Sequence, residues 1–150
     1  MNQTLTRFQA EGAPKFTESA LGIARFFKSI WPSVMTLTET SATVYMHNPI
    51  ETSSNPEHDT SDDAALCSLA LFVGGLVTDA GVPDGVHWML KGFAIEYLKA
   101  RRFEVLAQAH SSAVDWSKAG DYNVLITIAH SHDLTDVVAT ASLKIGVHLP

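Results

Sequence analysis

Four polar side chains lie just ahead of the most apolar stretch of the chain: His58, Asp59, Asp62 and Asp63. A histidine or a carboxylate can take a proton from water and so act as a general base. His58 and Asp59 are also typical of a polar surface loop. Asp62 and Asp63 equally favour the start of a helix, whose free N–H groups attract negative charge. We therefore treat His58, Asp62 and Asp63 as candidate catalytic residues and keep the structural interpretation beside each.

Two potential nucleophiles, Cys67 and Ser68, follow inside the apolar stretch. A thiol or a hydroxyl becomes an effective nucleophile only when a base lies beside it. The Gly-x-Ser-x-Gly turn that presents a nucleophilic serine does not surround Ser68. Both residues are small enough to pack inside a protein, and we expect packing to be their role.

Two histidines, His130 and His132, alternate in the sequence, and Asp133 follows them. Alternate residues of a strand point to the same face, so the two imidazoles are expected to lie together. A metal site of this kind needs at least three protein ligands close together in space, and the sequence alone does not place a third one beside the two imidazoles. We therefore predict structural or solvated histidines here and no metal site.

The apolar stretch itself predicts a long helix from Asp62 to Ala80. Its first face carries mostly large apolar residues: Ala65, Leu69, Phe72, Val73, Leu76, Val77 and Ala80. Its opposite face is small or apolar and carries no charge: Cys67, Ser68, Leu71, Gly74, Gly75 and Thr78. A helix without a charged face is buried on every side. We expect one face to pack on a sheet and the other on a partner subunit or a ligand channel, with the glycines admitting another backbone.

The other segments predict one more helix and a set of strands. Apolar residues at helical spacing indicate a helix over Thr17–Ile30, capped by Thr17 and ended by Pro32. Residues 1–16 are interpreted as an N-terminal extension and His47–Ser61 as a loop. Alternating patterns predict strands at Val34–Met46, Val86–Lys99, Phe103–Asp115, Tyr122–His132 and Val137–Val147, with a bulge at Gly92. Their short connections make antiparallel neighbours.

Composition limits the classes of function. The 150 residues suit a single domain spanning 1–150. A net charge of −6 excludes the basic face that nucleic-acid binding needs. One cysteine excludes an internal disulfide, and the polar N-terminus has no apolar core of a signal peptide. We expect a soluble cytoplasmic protein without a membrane partner, and the low charged fraction of 17% favours an oligomer.

Three stretches of the chain carry a family resemblance: Ala64–Leu76, Val82–Pro83 and Trp88–Ala100. They resemble the hotdog superfamily of acyl-CoA thioesterases and dehydratases, in a branch near the phenylacetate-pathway thioesterases. The resemblance spans about Leu21 to Val147. It implies an α+β hotdog fold, in which a five- to six-stranded antiparallel sheet wraps a long central helix. It also implies a homodimer, with a tetramer as the alternative.

The resemblance also assigns site residues. Asn48 matches the asparagine of the family, whereas the family's histidine falls at Asp62, after an insertion within residues 48–61. The family's catalytic acid falls at Leu71, which can neither transfer a proton nor attack a carbonyl. An apolar pocket around Leu71, bordered by Asn48, Asp62 and Ser68, would hold the substrate. The basic residues at the next strand turn would hold the phosphates of coenzyme A, although they also suit a solvated hairpin tip: Lys99, Arg101 and Arg102.

Two functions follow. The first is a thioesterase-like hydrolase of acyl-CoA in which Asn48 orients the carbonyl and His58, Asp62 or Asp63 activates water. The second is a non-catalytic protein that binds acyl-CoA or another apolar ligand, or serves as an interaction module. Leu71 favours the second, because it enlarges an apolar pocket where an acid would be. In either case the CoA thioester is the only small molecule implied, as substrate or ligand, and no other cofactor is expected.

Overall fold

A computed structural model describes residues 2–23, 25–47 and 61–150. Two of the candidate residues, Asn48 and His58, therefore lie outside the described residues. The helical elements are α1 (Gln3–Glu11), α2 (Ala13–Ile23), a 3-10 helix (Arg25–Ile30) and α3 (Ser61–Gly81). The strands are β1 (Pro32–Leu37), β2 (Ser41–Met46), β3 (His87–Tyr97), β4 (Val105–His110), β5 (Gly120–His130) and β6 (Asp133–His148).

The strands form one antiparallel sheet in the order β1-β2-β4-β5-β6-β3. The long helix α3 packs against one face of this sheet, so the predicted hotdog architecture is confirmed. The register of β3 on β6 shifts between Leu90 and Gly92. This shift is the bulge predicted at Gly92, where the absence of a side chain lets the strand bend.

The sheet-facing side of α3 is the centre of the core. Leu69, Val73 and Val77 have no exposed surface. Gly74 lies on this side too, since a Cβ there would come within 2.8 Å of the Leu143 side chain. The expectation that the glycines admit another backbone was therefore wrong for Gly74, which makes room for a leucine. By length and composition α3 could cross a membrane, but 56% of that stretch is buried inside the protein, as in a core helix.

The N-terminal residues, interpreted from sequence as an extension, form a helix. The Asn2 side chain caps α1 by accepting a hydrogen bond from the Leu5 N–H at 3.0 Å, and Gly12 ends it with φ 78°. The next helix, α2, starts at Ala13, so Thr17 is not its cap. The Thr17 hydroxyl donates instead to the Ala13 carbonyl at 2.8 Å and accepts from the Val34 N–H. Thr17 thereby fastens α2 to β1.

The segment Val34–Met46, predicted as one strand, is divided between two paired strands, β1 and β2. Thr38 N–H donates to the Ser41 carbonyl at 2.8 Å, which closes a tight turn. The Thr38 hydroxyl also accepts from the Ser41 N–H at 3.0 Å. The turn contains neither glycine nor proline, and its threonines also suit a strand. The strand-like sequence pattern therefore continues across the turn, and the sequence predicted one strand instead of two.

Two glycines of α3 should respond in opposite ways to replacement by alanine. A Cβ at Gly81 would lie 2.5 Å from the backbone carbonyl of Glu39, whereas one at Gly75 meets nothing within 4 Å. We expect Gly81→Ala to lower the free energy of unfolding by about 1–3 kcal/mol, the usual cost of overpacking. Gly75→Ala should raise it by up to about 1 kcal/mol through helix propensity. Urea denaturation of both variants tests this, and equal effects would contradict it.

Candidate functional site

A cavity of about 220 Å³ lies between α3 and the N-terminal helices. Its apolar wall is formed by Phe16, Ala20, Phe27, Leu71, Phe72 and Leu76, with Gly75 between them. Three polar residues complete the lining: Thr4, Arg7 and Asp79. The cavity lies on the side of α3 that faces away from the sheet, where Leu71 and Gly75 are only half-buried.

Aromatic contacts and one asparagine hold the walls of this cavity in place. The Phe27 and Phe72 rings pack with centroids 5.3 Å apart, which joins the 3-10 helix to α3. Phe8 and Phe16 pack edge to face at the same separation, which joins α1 to α2. The Asn2 side-chain amide donates to the backbone carbonyls of Asp79 and Val82 and so fixes the start of α1 to the end of α3.

The polar lining carries opposite charges. The Arg7 guanidinium donates to the Ser19 hydroxyl at 2.7 Å, pairs with Glu11 at 3.5 Å and lies over the Phe16 ring. The Asp79 carboxylate accepts from the indole N–H of Trp88 at 2.9 Å. Desolvation raises the pKa of Asp79 above its usual range, and the hydrogen bond from Trp88 opposes that rise. An apolar chamber with a hydrogen-bonding lining of this kind suits an amphipathic ligand.

Leu71 lines an apolar pocket, and its assignment to substrate binding stays a prediction. Ser68 is half-buried on the same side of α3 but does not line the cavity. Its neighbour Cys67 is also half-buried, and burial raises the pKa of its thiol. A thiol held in its protonated form is a poor nucleophile, which agrees with the packing role expected for Cys67.

The two acidic residues ahead of the apolar stretch open α3. Asp62 belongs to its first turn, and the position of its side chain lies outside what the structure describes. Asp63 is exposed, and its backbone carbonyl accepts a hydrogen bond from the Tyr97 hydroxyl at 2.8 Å. Asp63 therefore stands at the end of α3 that is remote from Asp79. Its assignment as a base stays a prediction, as do those of Asp62, Asn48 and His58.

The basic strand turn does not present three equivalent charges. The Lys99 ammonium forms an ion pair with Asp136. The Arg101 guanidinium donates to the backbone carbonyl of His47 at 3.2 Å. Arg102 is exposed, and its backbone N–H donates to His130. An anion would therefore meet Arg102 most readily, because the charge of Lys99 is already compensated.

The buried His130 supports this turn through contacts with Asp136 and Arg102 that sequence reasoning did not predict. His130 is only 3% exposed, and its Nδ1 lies 2.6 Å from a carboxylate oxygen of Asp136. Its Nε2 accepts from the Arg102 N–H at 3.2 Å, so the proton of the neutral ring is on Nδ1. Hydrogen bonds from Lys99 and then from His130 hold the pKa of Asp136 below its usual range.

The two alternating histidines do share a face, as predicted. The rings of His130 and His132 stack with centroids 5.6 Å apart, and Phe103 packs edge to face on both. Within residues 2–23, 25–47 and 61–150, no three histidine, cysteine or acidic side chains are grouped as metal ligands. The structural role of His130 is thus explained by its hydrogen bonds.

Comparisons with known proteins identify the fold. A family model described as a domain of unknown function (DUF4442) matches residues 12–147. The structural-genomics protein APC5556 is similar over 99% of this chain and 97% of its own, with 26% identity and a TM-score of 0.78. A thioesterase from Haemophilus influenzae is similar over 81% of both chains, with 14% identity and a TM-score of 0.62.

A third structure contains a ligand. It is a hypothetical thioesterase protein with coenzyme A from Streptococcus pneumoniae, similar over 85% of this chain and 96% of its own. The identity is 14% and the TM-score 0.61, a likeness that shows the fold. None of the curated proteins matches the chain.

Proposed function

The chain belongs to the DUF4442 family, and we propose that it binds acyl-CoA-type thioesters with the acyl group in the cavity beside Leu71. The observation that carries the proposal is the apolar cavity of about 220 Å³ on the open side of α3. Its walls are aromatic and aliphatic, as an acyl chain requires. The Streptococcus pneumoniae protein of the same fold holds coenzyme A, which supports the proposal that the remainder of the ligand is coenzyme A.

The proposed binding mode follows the direction of α3. Its N-terminus offers backbone N–H groups that favour a polarised carbonyl oxygen. Asn48 and Ser68 are proposed to orient the thioester there, and Arg102 to meet a phosphate of coenzyme A, with Lys99 and Arg101 as weaker contributors. The acyl chain would then run along α3 from Leu71 toward Asp79.

We propose that hydrolysis is weak or absent. The resemblance implies that Leu71 stands where the thioesterases carry an acid, and its side chain forms part of the apolar wall. The remaining candidates for activating water are His58, Asp62 and Asp63. If one of them acts as the base, the protein is a hydrolase with a displaced catalytic group, and turnover will show it.

A series of acyl-CoA thioesters of increasing chain length tests the proposal. Calorimetry should show that acyl-CoA binds more tightly than free coenzyme A. A thiol-release assay run in parallel should show little turnover. Gly75→Leu should weaken acyl-CoA binding at least tenfold by filling the cavity, because a Cβ at Gly75 meets open space. Gly22→Leu is the matched control, since a Cβ at this helical glycine also meets nothing within 4 Å. Equal affinities for acyl-CoA and free coenzyme A would contradict the proposal.

The partner proposed for the sheet is a second copy of the chain. Among the described residues β3 pairs only with β6, so one edge of β3 is open. Met89 and Leu90 on this strand are 53% and 45% exposed. An open apolar edge strand is a template for another strand, and two such edges related by a two-fold axis would extend the sheet.

We expect light scattering at micromolar concentration to give the mass of a dimer, or of a tetramer built from two dimers. Met89→Lys should shift the mass toward the monomer, because a charge on an edge strand opposes pairing. Met35→Lys, at another exposed methionine on the opposite edge strand β1, should leave it unchanged. A monomeric mass for the unaltered chain would contradict the dimer.

The proposed ligand and partner agree with a cytoplasmic location, which also remains a proposal. The net charge of −6 gives a nucleic acid no general electrostatic attraction. The single cysteine suits a reducing compartment.

A further inference from the structure

The cavity has chemically different ends. Leu71 and Asp79 lie on the same side of α3, and eight residues of helix separate them by about 12 Å along its axis. The Asn2 amide fixes the start of α1 to the backbone carbonyl of Asp79, which brings Thr4 to that end. Arg7 follows Thr4 by one helical turn and lines the same cavity. The polar lining therefore lies toward the end of α3 at Asp79.

The charges at this end do not balance. Arg7 supplies one positive charge and is already paired with Glu11, and Asp79 adds a second negative charge. A ligand carboxylate would meet this excess of negative charge, and an alkyl terminus would make no use of the polar groups. A hydroxyl fits, because it can donate to one group and accept from another.

The polar groups have hydrogen-bonding capacity to spare. The Asp79 carboxylate takes one hydrogen bond from Trp88, and a carboxylate has about four lone-pair sites. Arg7 directs its Nε to Glu11 and one N–H of Nη2 to Ser19, which leaves N–H groups on Nη1. Asp79 lies at an open end of the cavity, and partial desolvation by the surrounding residues raises the pKa of its carboxyl group.

We propose that Thr4, Arg7 and Asp79 select an acyl group whose far end carries a hydroxyl. The inference rests on the proposed function, because it takes the thioester to lie toward the start of α3 and the acyl chain to run toward Asp79. The hydroxyl donates to the Asp79 carboxylate and accepts from Arg7 or Thr4. Hydrogen bonds to charged groups strengthen affinity by roughly tenfold or more relative to the same chain without the hydroxyl.

Three acyl-CoA ligands of equal chain length test the inference: one with a methyl terminus, one with an ω-hydroxyl and one with an ω-carboxylate. Calorimetry should give the tightest binding for the ω-hydroxyacyl-CoA, by about tenfold, and the weakest for the ω-carboxyacyl-CoA. Asp79→Asn keeps an acceptor for Trp88 but removes the charge, so it should reduce the hydroxyl preference and relieve the penalty on the carboxylate. Thr4→Val should reduce the hydroxyl preference without helping the carboxylate.

Asp121→Asn is the control, since Asp121 pairs with Lys91 on the surface and does not line the cavity. It should leave the affinities for all three ligands unchanged. Equal binding of the methyl and ω-hydroxyl ligands by the unaltered protein, which needs no variant to fold, would overturn the inference and leave the proposed function intact. Failure of all three to bind would overturn the proposed function and the inference together.

Discussion

Leu71→Glu should increase the hydrolysis of acyl-CoA by about 10²–10⁴-fold, which is the usual contribution of a positioned general acid or base. The unaltered protein is expected to bind acyl-CoA with the acyl group beside Leu71, without supplying a group there that can activate water. A carboxylate introduced at this position would meet a substrate that is already oriented. Thiol release from the acyl-CoA that binds most tightly measures the effect.

The substitution is structurally feasible because Leu71 is half-buried at the wall of a cavity. A fully buried unpaired charge would cost several kcal/mol, and access to the cavity lowers that cost. Leu71→Gln is the matched control, since it has nearly the same shape and polarity but cannot take up a proton. A thermal melt should first establish that both variants are folded.

Two outcomes would contradict this prediction. Equal acceleration by Leu71→Gln would show that polarity, and not proton transfer, limits the reaction. Turnover by the unaltered chain at about 1–10³ per second, the range of ordinary enzymes, would show that a working base is already present. Alanine substitution of His58 and of Asp62 would then identify it.

The long helix could be predicted from sequence because its pattern is strong over many residues. Its apolar face is buried by the sheet, and the hotdog resemblance placed strands on that face. Gly74 was assigned to the wrong face, because a residue without a side chain adds nothing to the apolar pattern that defines a helix face, and in the folded protein it lies against Leu143 of the sheet. The strand order also depends on long-range pairing, such as β3 with β6, which local patterns do not specify.

The cavity was predicted only in part. Leu71 was expected in an apolar pocket, and it lines one. The wall of the cavity opposite α3 was not predicted, because the residues before Gly12 are polar and show no strong helical pattern. Arg7 was therefore not considered as a lining residue, and Phe16 was missed because it fell within the stretch interpreted as an extension. The cap at Asn2 and the break at Gly12 were the local signals that could have indicated α1.

The basic turn shows a further limit of sequence reasoning. Lys99, Arg101 and Arg102 are adjacent in sequence and suggested one anion site. In the folded chain Lys99 pairs with Asp136, which is 37 residues away. Charge clusters in sequence thus overstate the charge available to a ligand when a partner comes from a distant strand. Asp136 also accounts for the burial of His130, because the connection between β5 and β6 brings the two side chains within hydrogen-bonding distance.

His130→Ala should lower the free energy of unfolding by about 3 kcal/mol, because it removes a buried ring together with two hydrogen bonds. The ring is 3% exposed, contacts Asp136 through Nδ1 and accepts the Arg102 N–H at Nε2. Its loss leaves a space beside Phe103 and an unpaired N–H in the basic turn. His132→Ala is the control, since His132 stacks on the same ring but is exposed, and should cost no more than about 0.5 kcal/mol.

Urea denaturation at neutral and at acid pH separates the hydrogen bonds from the packing. Lys99 and then His130 lower the pKa of Asp136 in the folded state. A carboxylate whose pKa is lowered by folding stabilises the folded state at pH values above its unfolded-state pKa, which is near 4. That contribution disappears as the pH falls through the folded-state pKa. The difference in the free energy of unfolding between the unaltered protein and His130→Ala should therefore become smaller at acid pH. The part of the difference that comes from lost packing should persist. Equal destabilisation by His130→Ala and His132→Ala would show that the buried ring is not what fastens the turn.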